Sequence, residues 1–483
     1  MRTMNIILKS FDGPGDHHTI ERAFQGKHLG TCISLLWDVR EVPKIDADEH
    51  ILLDARKLKN GKYPDTDWST IPPLDEELIE SMRHCEGVFM TMITRHSVDD
   101  IPFAERKRQY YEHLRYWNHI IASKKIDFFL LNHPPHQCYD LVIYDLCRLK
   151  SIPTLMIDRC NFIETTLLIE TWEESGSALR DWMEKNRAQF GNLATPIPLS
   201  KKMESFYEAR TIRDETPWYM SPRPSYLLQK NFVRKWAGRA MSMMVRKPKN
   251  LLTAVLSPRF WTRKLREHAT INVYDELMKP ADLSLPYVYV PFHMQPEVTT
   301  CPLGGVFVDQ ELMVQMLASF LPPGIRLYVK EHPHQGEQMR SRQFYESLVR
   351  ISSVTLVPRD LSTVDLEKHA VAVATVTGTA GLEALFHCIP VLMFGHCYYQ
   401  YASGVYRIRT SEECKRALDD IIVKKTRPEL RDMRLFLKAA EECGVVFQPP
   451  LASGEQYSEP QATELGTEIA KKIGQMDAMA SSR

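Results

Sequence analysis

Val288-Tyr289-Val290-Pro291-Phe292-His293-Met294-Gln295-Pro296-Glu297, Tyr328-Val329-Lys330-Glu331-His332-Pro333 and Thr375-Val376-Thr377-Gly378-Thr379-Ala380-Gly381-Leu382-Glu383-Ala384-Leu385 are the stretches that decide the architecture. Each is an apolar run that breaks off at polar, Gly or Pro residues, as buried parallel strands do on reaching the carboxyl edge of an open α/β sheet. Three such strands deliver their ends to one crevice. Their tips offer a carboxamide and a carboxylate, then a lysine, a glutamate and a histidine, then small hydroxyl and glycine residues.

A phosphate suits the last two tips. Gly378 to Gly381 opens a helix, with Leu382, Leu385 and Phe386 at helical spacing, and a helix N-terminus presents free N–H groups and a positive dipole end to an anion. His332 can donate a hydrogen bond to the same anion. Read singly, Thr377, Gly378, Thr379 and Gly381 serve equally to cap a helix and allow tight packing, and His332-Pro333 serves to end a strand.

The order and spacing of the trio resemble the capsule polysaccharide synthesis family, whose better-known members transfer Kdo (3-deoxy-octulosonate) from a CMP-activated donor. The shared features are Gln295-Pro296-Glu297, Lys330-Glu331-His332-Pro333, and Gly378 through Glu383 to Pro390-Val391 with Phe394-Gly395 after it. They run from about Pro286 to Gly395. Val298, Thr299 and Thr300 stand where many members carry a further Asp and Ser. The resemblance implies that Lys330 and His332 hold the donor phosphate and that Thr377, Gly378, Thr379 and Gly381 cradle it. It further implies that Glu383 anchors the ribose or cytosine, and that Glu297 is the catalytic carboxylate with Gln295 orienting it. The function implied is transfer of a Kdo-like sugar to a polysaccharide or lipid-linked acceptor. A UDP-sugar transferase or epimerase of the same fold, and a non-catalytic scaffold, remain alternatives. No cofactor beyond the nucleotide-sugar donor is implied. Nor is a metal, since a CMP sugar has no diphosphate to chelate.

The N-terminal half also alternates strands and helices. Strands are expected at Asn5 to Leu8, Cys32 to Trp37, Gly87 to Ile93, Phe128 to Leu131 and Thr154 to Ile157. A helix from about Pro102 to Ser123 carries Tyr110, Leu114, Trp117 and Ile121 on one stripe, and another runs from Gln137 to Lys150. The expected fold is therefore α/β of the GT-B kind, two Rossmann-like domains facing each other across a cleft. Residues 1–200 form the acceptor domain, 201–285 a basic and aromatic insertion, and 286–425 the donor domain. Residues 426–483 are C-terminal helices that cross back. On the acceptor side, Asp16 and His17 follow the first strand and His133 and His136 the fourth, groups able to move protons near neutral pH. An ordinary turn and a helix entry explain the same two loops. The glycines near Asp16 do not fit G-x-G-x-x-G, which argues against a nicotinamide cofactor.

Composition is that of a large globular chain. Its 483 residues are 44% hydrophobic, with 61 Lys plus Arg against 61 Asp plus Glu, so no overall field draws in nucleic acid. The ten cysteines include no C-x-x-C pair and read as reduced thiols. No apolar run has signal-peptide or membrane-spanning length, and the expected location is cytoplasmic. From Ser221 to Arg266, however, there are twelve Lys or Arg and no acid, interleaved with Trp, Phe, Met and Leu. That mixture fits the inner face of an anionic membrane or a lipid-linked acceptor, and fits also a helix packed between domains; nucleic-acid binding is a third reading, with no recognisable nucleic-acid module beside the patch to support it.

Overall fold

The computed structural model describes residues 3–40, 42–95, 101–191, 196–213, 273–335, 340–446 and 457–481, with isolated positions at 258, 262 and 265. The basic stretch from Ser221 to Arg266 thus lies outside the described residues except at those three positions. Two sheets organise the rest.

The first contains β1 (Met4–Lys9), β2 (Leu29–Leu36), β3 (Ala47–Asp54), β4 (Phe128–Leu131), β5 (Thr154–Cys160) and β6 (Thr165–Ile169). The second contains β7 (Tyr287–Pro291), β8 (Arg326–Lys330), β9 (Val354–Leu356), β10 (Ala372–Thr375), β11 (Val391–Met393) and β12 (Val405–Arg407). A last short strand, β13 (Val445–Val446), returns to the first sheet against β6.

The second sheet runs β12-β11-β10-β7-β8-β9, parallel throughout. Numbered within its own half, that is the doubly wound order 3-2-1-4-5-6, whose direction of winding reverses between β7 and β10. The first sheet runs β13-β6-β5-β4-β1-β2-β3, parallel from β5 to β3 and antiparallel at β5–β6 and β6–β13. Its reversal falls between β1 and β4. An open α/β sheet leaves its ligand crevice beyond the strand ends at such a point, so the topology marks one crevice in each half.

Burial explains why these strands are apolar runs: Val288 and Val290 are fully covered, as are Leu327 and Val329. Tyr287 stacks on Tyr328 across the β7–β8 pair, with ring centroids 4.4 Å apart. In the first half, Tyr110, Leu114, Trp117 and Ile121 are buried on the helix Phe103–Ser123, on the stripe that the spacing gave. One expected strand is a helix instead. Gly87 to Ile93 belongs to the helix Arg83–Met92 and the turn Ile93–Arg95. Cys85, Phe89 and Met92 are its buried face, a spacing of four and three, so the run's apolar content reflects a helical stripe. The sheet gains β3 in its place, an edge strand whose Asp48, Glu49 and His50 are exposed.

The halves are joined along a seam. The His396 ring bonds the Glu173 carbonyl at 3.0 Å, and the Gln400 carboxamide donates to the carbonyls of Glu173 and Ser175 at 3.0 and 2.8 Å. Gly176, at φ +83°, permits this approach, because a Cβ there would meet the Tyr398 carbonyl oxygen at 2.1 Å. The helix Leu430–Cys443 packs on Ser177–Gly191, and the helix Glu459–Ser481 packs on Pro14–Ala23, where Gly466 abuts the Thr19 carbonyl. Among the described residues no helix is long and apolar enough to cross a membrane.

Candidate functional site

At the reversal of the second sheet, the tips of β7 and β10 are tied together by His293. Its Nε2 accepts from the Thr377 N–H at 3.3 Å and lies 3.0 Å from the Thr375 hydroxyl. That hydroxyl accepts in turn from the Gly378 N–H at 3.0 Å. The hydroxyl therefore donates to Nε2, and the ring proton sits on Nδ1. Burial, with His332 and Arg340 close by, lowers the His293 pKa to about 3, so the imidazole is neutral. Gly378 is needed for this approach: a Cβ on it would stand 2.9 Å from His293 Cε1 and from Thr375 Oγ1.

A second tie joins β7 to β8. Arg340, 4% exposed, pairs its Nε with Glu331 Oε2 at 2.7 Å, donates Nη1 to Gln295 Oε1, and donates Nη2 to the His293 carbonyl at 3.2 Å. Its guanidinium lies over the rings of Phe344 and Phe292, 4.5 and 5.2 Å from their centroids. Glu331 also accepts from the Tyr345 hydroxyl at 2.8 Å and from the His332 N–H at 2.7 Å. The Gln295 carboxamide is thus occupied, accepting from Arg340 and donating to the Val308 carbonyl, and it makes no bond to Glu297 among the described residues.

Glu297 stands in the turn after β7. Its carboxyl receives a weak bond from the Thr299 hydroxyl at 3.4 Å, and Thr299 offers its carbonyl to the Thr377 hydroxyl at 2.7 Å. The catalytic candidate is therefore one hydrogen-bonded step from the β10 tip. Burial raises the Glu297 pKa, opposed by Arg95 of the other half and by Thr299. The Nδ1 of His332 accepts from the His334 N–H at 3.2 Å, which leaves its proton on Nε2. Burial, with His334, Arg340 and Lys330 nearby, brings His332 to about 4 against the pull of Glu331. It is a neutral donor.

The other strand-tip residues have partners of their own. Lys330 donates to the Leu361 carbonyl at 2.5 Å and to Thr363 Oγ1 at 2.8 Å, so two of its three N–H bonds are engaged within the fold. Burial brings it to about 8, despite Glu367 and Asp360. Gly381 lies inside the helix Thr379–Leu385, where a Cβ would meet the Tyr399 hydroxyl at 2.5 Å. Close packing requires this glycine. The Glu383 carboxyl is raised by burial, with the Thr379 hydroxyl and Arg210 opposing.

The first half presents its own cluster at its reversal. Lys9, at the end of β1 and fully buried, pairs with Asp140 Oδ2 at 2.7 Å and reaches both ring nitrogens of His133 at 2.9 Å. Burial works to raise the Asp140 carboxyl, but Lys9, His136 and the Gln137 N–H hold it below its usual range. Burial and Lys9 push His133 well below its ordinary value and His136 to about 3. These histidines are therefore neutral, where the sequence pointed to groups titrating near pH 7. His133, His136 and Asp140 bring ligand atoms within 4.8 Å of one another, the spacing of a metal site, but the Lys9 ammonium already bonds two of the three. Asp16 Oδ1 lies 3.6 Å from Arg159, which bonds Asn132. The His17 Nε2 is buried with no hydrogen-bond partner among the described residues.

Sequence reasoning missed three groups: His293, Arg340 and Arg95. His293 stood inside a quoted motif, two residues past β7 as Thr377 stands two past β10, and that symmetry was the available signal. Nothing local marks the other two.

Residues 298–430 match the family described as capsule polysaccharide biosynthesis protein, which bears out over that span the resemblance drawn from the strand tips. Several solved structures are similar at low identity. The beta Kdo 2,7 transferase of Thermosulfurimonas dismutans KpsC is 12% identical, with 82% of this chain and 97% of that chain covered, at a TM-score of 0.30. The beta Kdo 2,4 transferase of the same protein is 14% identical, with the same shares and score. The Methanocaldococcus jannaschii UDP-GlcNAc 2-epimerase, in complex with UDP-GlcNAc and UDP, is 9% identical, with 91% and 100% covered, at 0.24. At these scores the likenesses fix neither a substrate nor a residue's role. No curated protein matches the chain by sequence.

Proposed function

With residues 298–430 matching the capsule polysaccharide biosynthesis family, we propose that the protein is a glycosyltransferase that moves a Kdo-like sugar acid from a CMP donor to a polysaccharide or lipid-linked acceptor. One observation carries the reading. His293 and Arg340 draw the tips of β7, β8 and β10 together, so that a carboxylate, a neutral imidazole donor and a helix start share the crevice where a doubly wound sheet binds nucleotides.

In this scheme His332 donates Nε2–H to the donor phosphate, and the turn from Thr377 to Thr379 receives it at the helix start. The N–H groups of Thr377 and Gly378 already serve His293 and Thr375, so Thr379 at the first helical position is the nearer donor. Lys330 supports the tip by fixing the Leu361 to Thr363 loop, and Glu383 faces the nucleoside side. Glu297 supplies the carboxylate that an oxocarbenium-like transition state requires, as nucleophile in a double displacement or as general base. The acceptor meets the Asp16, His17, His133 and His136 edge of the first half. A peripheral position on the cytoplasmic face of a membrane follows if that acceptor is lipid-linked.

The test is thermal unfolding and donor turnover with CMP, a CMP sugar acid, UDP and UDP-N-acetylglucosamine. CMP stabilises the protein, and Glu297→Gln keeps that stabilisation while losing at least a hundredfold in donor turnover. Stabilisation by UDP alone would move the reading to the UDP-sugar alternative.

A further inference from the structure

We infer that Arg95 is a specificity-determining residue of the cleft, whose guanidinium receives the carboxylate of a sugar-acid donor beside Glu297. The inference rests on the transferase reading and names the residue that recognises the acid group of its donor.

Arg95 ends the turn Ile93–Arg95 that continues the helix Arg83–Met92 of the first half. That helix touches the second half just beyond Glu297, where the Cys301 thiol lies 3.8 Å from the Val88 carbonyl. The ionisable neighbours of Arg95 come from both sides: Cys301 and Glu297 from the second half, Asp140 and Cys138 from the first. Its Nη1 is buried and bonds to nothing among the described residues. Glu297 is near enough to feel its charge but forms no ion pair with it there. Of the guanidinium groups nearest the two strand-tip clusters, Arg340 is held by Glu331 and Gln295, and Arg159 bonds Asn132 through Nη1 and Nη2 while its Nε is buried without a hydrogen-bond partner among the described residues.

A guanidinium remains charged when buried. Leaving one of its donors unmet is destabilising, a cost that an oxyanion in the cleft removes. Two features select a carboxylate bonded to the anomeric carbon. Glu297 must lie within reach of that carbon to act on it, and in an ulosonate the carboxylate is attached to the same atom. A second anion beside Glu297 would repel it unless a cation stood between or next to both. Arg95 is that cation, and its planar fork suits a carboxylate. A neutral hexose carries hydrogen at this position and leaves the guanidinium unmet. Since Arg95 belongs to the first half and the nucleotide sits on the second, the contact is made by the sugar and not by the nucleotide.

The experiment compares full-length wild type, Arg95→Met and Arg95→Lys by calorimetric titration with CMP and by donor hydrolysis with CMP-Kdo generated in situ from CTP. Thermal unfolding of each variant checks the fold. The expected result is unchanged CMP affinity in all three, a KM for CMP-Kdo raised at least tenfold in Arg95→Met, and a smaller rise in Arg95→Lys, which keeps charge but loses the fork. Equal loss of CMP and CMP-Kdo in Arg95→Met, or no change in either, overturns the inference while the transferase reading stands. Failure of wild type to bind CMP or to turn over CMP-Kdo removes both. A neutral donor, UDP-N-acetylglucosamine, used equally by wild type and Arg95→Met also overturns it.

Discussion

Replacing Arg340 by methionine keeps the aliphatic stem against Phe292 and Phe344 and removes the charge that links two strand tips. Glu331, 1% exposed, then keeps only the Tyr345 hydroxyl and the His332 N–H as donors, and the Gln295 oxygen and His293 carbonyl each lose one. Breaking a buried ion pair from one side costs about 3–5 kcal/mol, and the two surviving donors place this case near the lower figure, about 3 kcal/mol. The loss is local, so the assay is hydrogen exchange resolved to peptides of β7 and β8 with their tips. A change of about 3 kcal/mol in opening free energy accelerates exchange there roughly a hundredfold, while the helix Phe103–Ser123 in the other half stays protected. Adding Glu331→Gln removes the stranded charge and restores about 1–2 kcal/mol, so the double variant is less impaired than the sum of the singles. If Arg340→Met costs under about 1 kcal/mol, or the two changes simply add, the ion pair does not hold the tips and the crevice needs another organiser.

Two further changes probe the same edge. Gly378→Ala places a methyl 2.9 Å from His293 Cε1 and Thr375 Oγ1, an overpacking of about 1–3 kcal/mol that displaces His293; CMP titration shows at least a tenfold weaker affinity, and unchanged affinity refutes the His293 tie. Lys330 has a folded pKa of about 8 against an ordinary 10.5, burial being the main cause. The unfolded chain therefore binds more protons between those values, and this group makes the folded state more stable as pH rises from about 8 to 10.5, by up to about 3 kcal/mol. Urea titrations across that window show the rise in wild type and its absence in Lys330→Met; parallel curves contradict the buried ammonium.

Much of this crevice was legible because a buried parallel strand cannot hide its end. Val288, Leu327 and Val373 sit in apolar runs only because both faces of the sheet are covered, and the chain must turn polar where cover stops. The same reasoning failed at Gly87 to Ile93, where an equally apolar run is a helix, since a short run does not reveal its period when most of its residues are apolar. It missed β3, whose exposed Asp48, Glu49 and His50 are tolerated at a sheet edge. Arg340 was invisible for another reason. It lies 45 residues from Gln295, its bonding partner, and nothing in its local sequence distinguishes it from a surface arginine.

The topology explains why the missed groups matter as much as the legible ones. Each half reverses its winding between its first and fourth strands, and near each reversal one buried base ties neighbouring strand ends together: Lys9 at the end of β1 with His133 and Asp140 after β4, Arg340 with Glu331 after β8 and Gln295 after β7. These bases hold two crevices in shape. Because their charge is already neutralised by Asp140 and Glu331, neither offers net positive charge to an incoming anion. Arg95 differs: its Nη1 is buried without a hydrogen-bond partner and it forms no ion pair among the described residues, with Glu297 of one half and Asp140 of the other among its charged neighbours. On the proposed transferase reading, a donor carrying its own carboxylate would meet this guanidinium beside Glu297, the carboxylate assigned there to the chemistry.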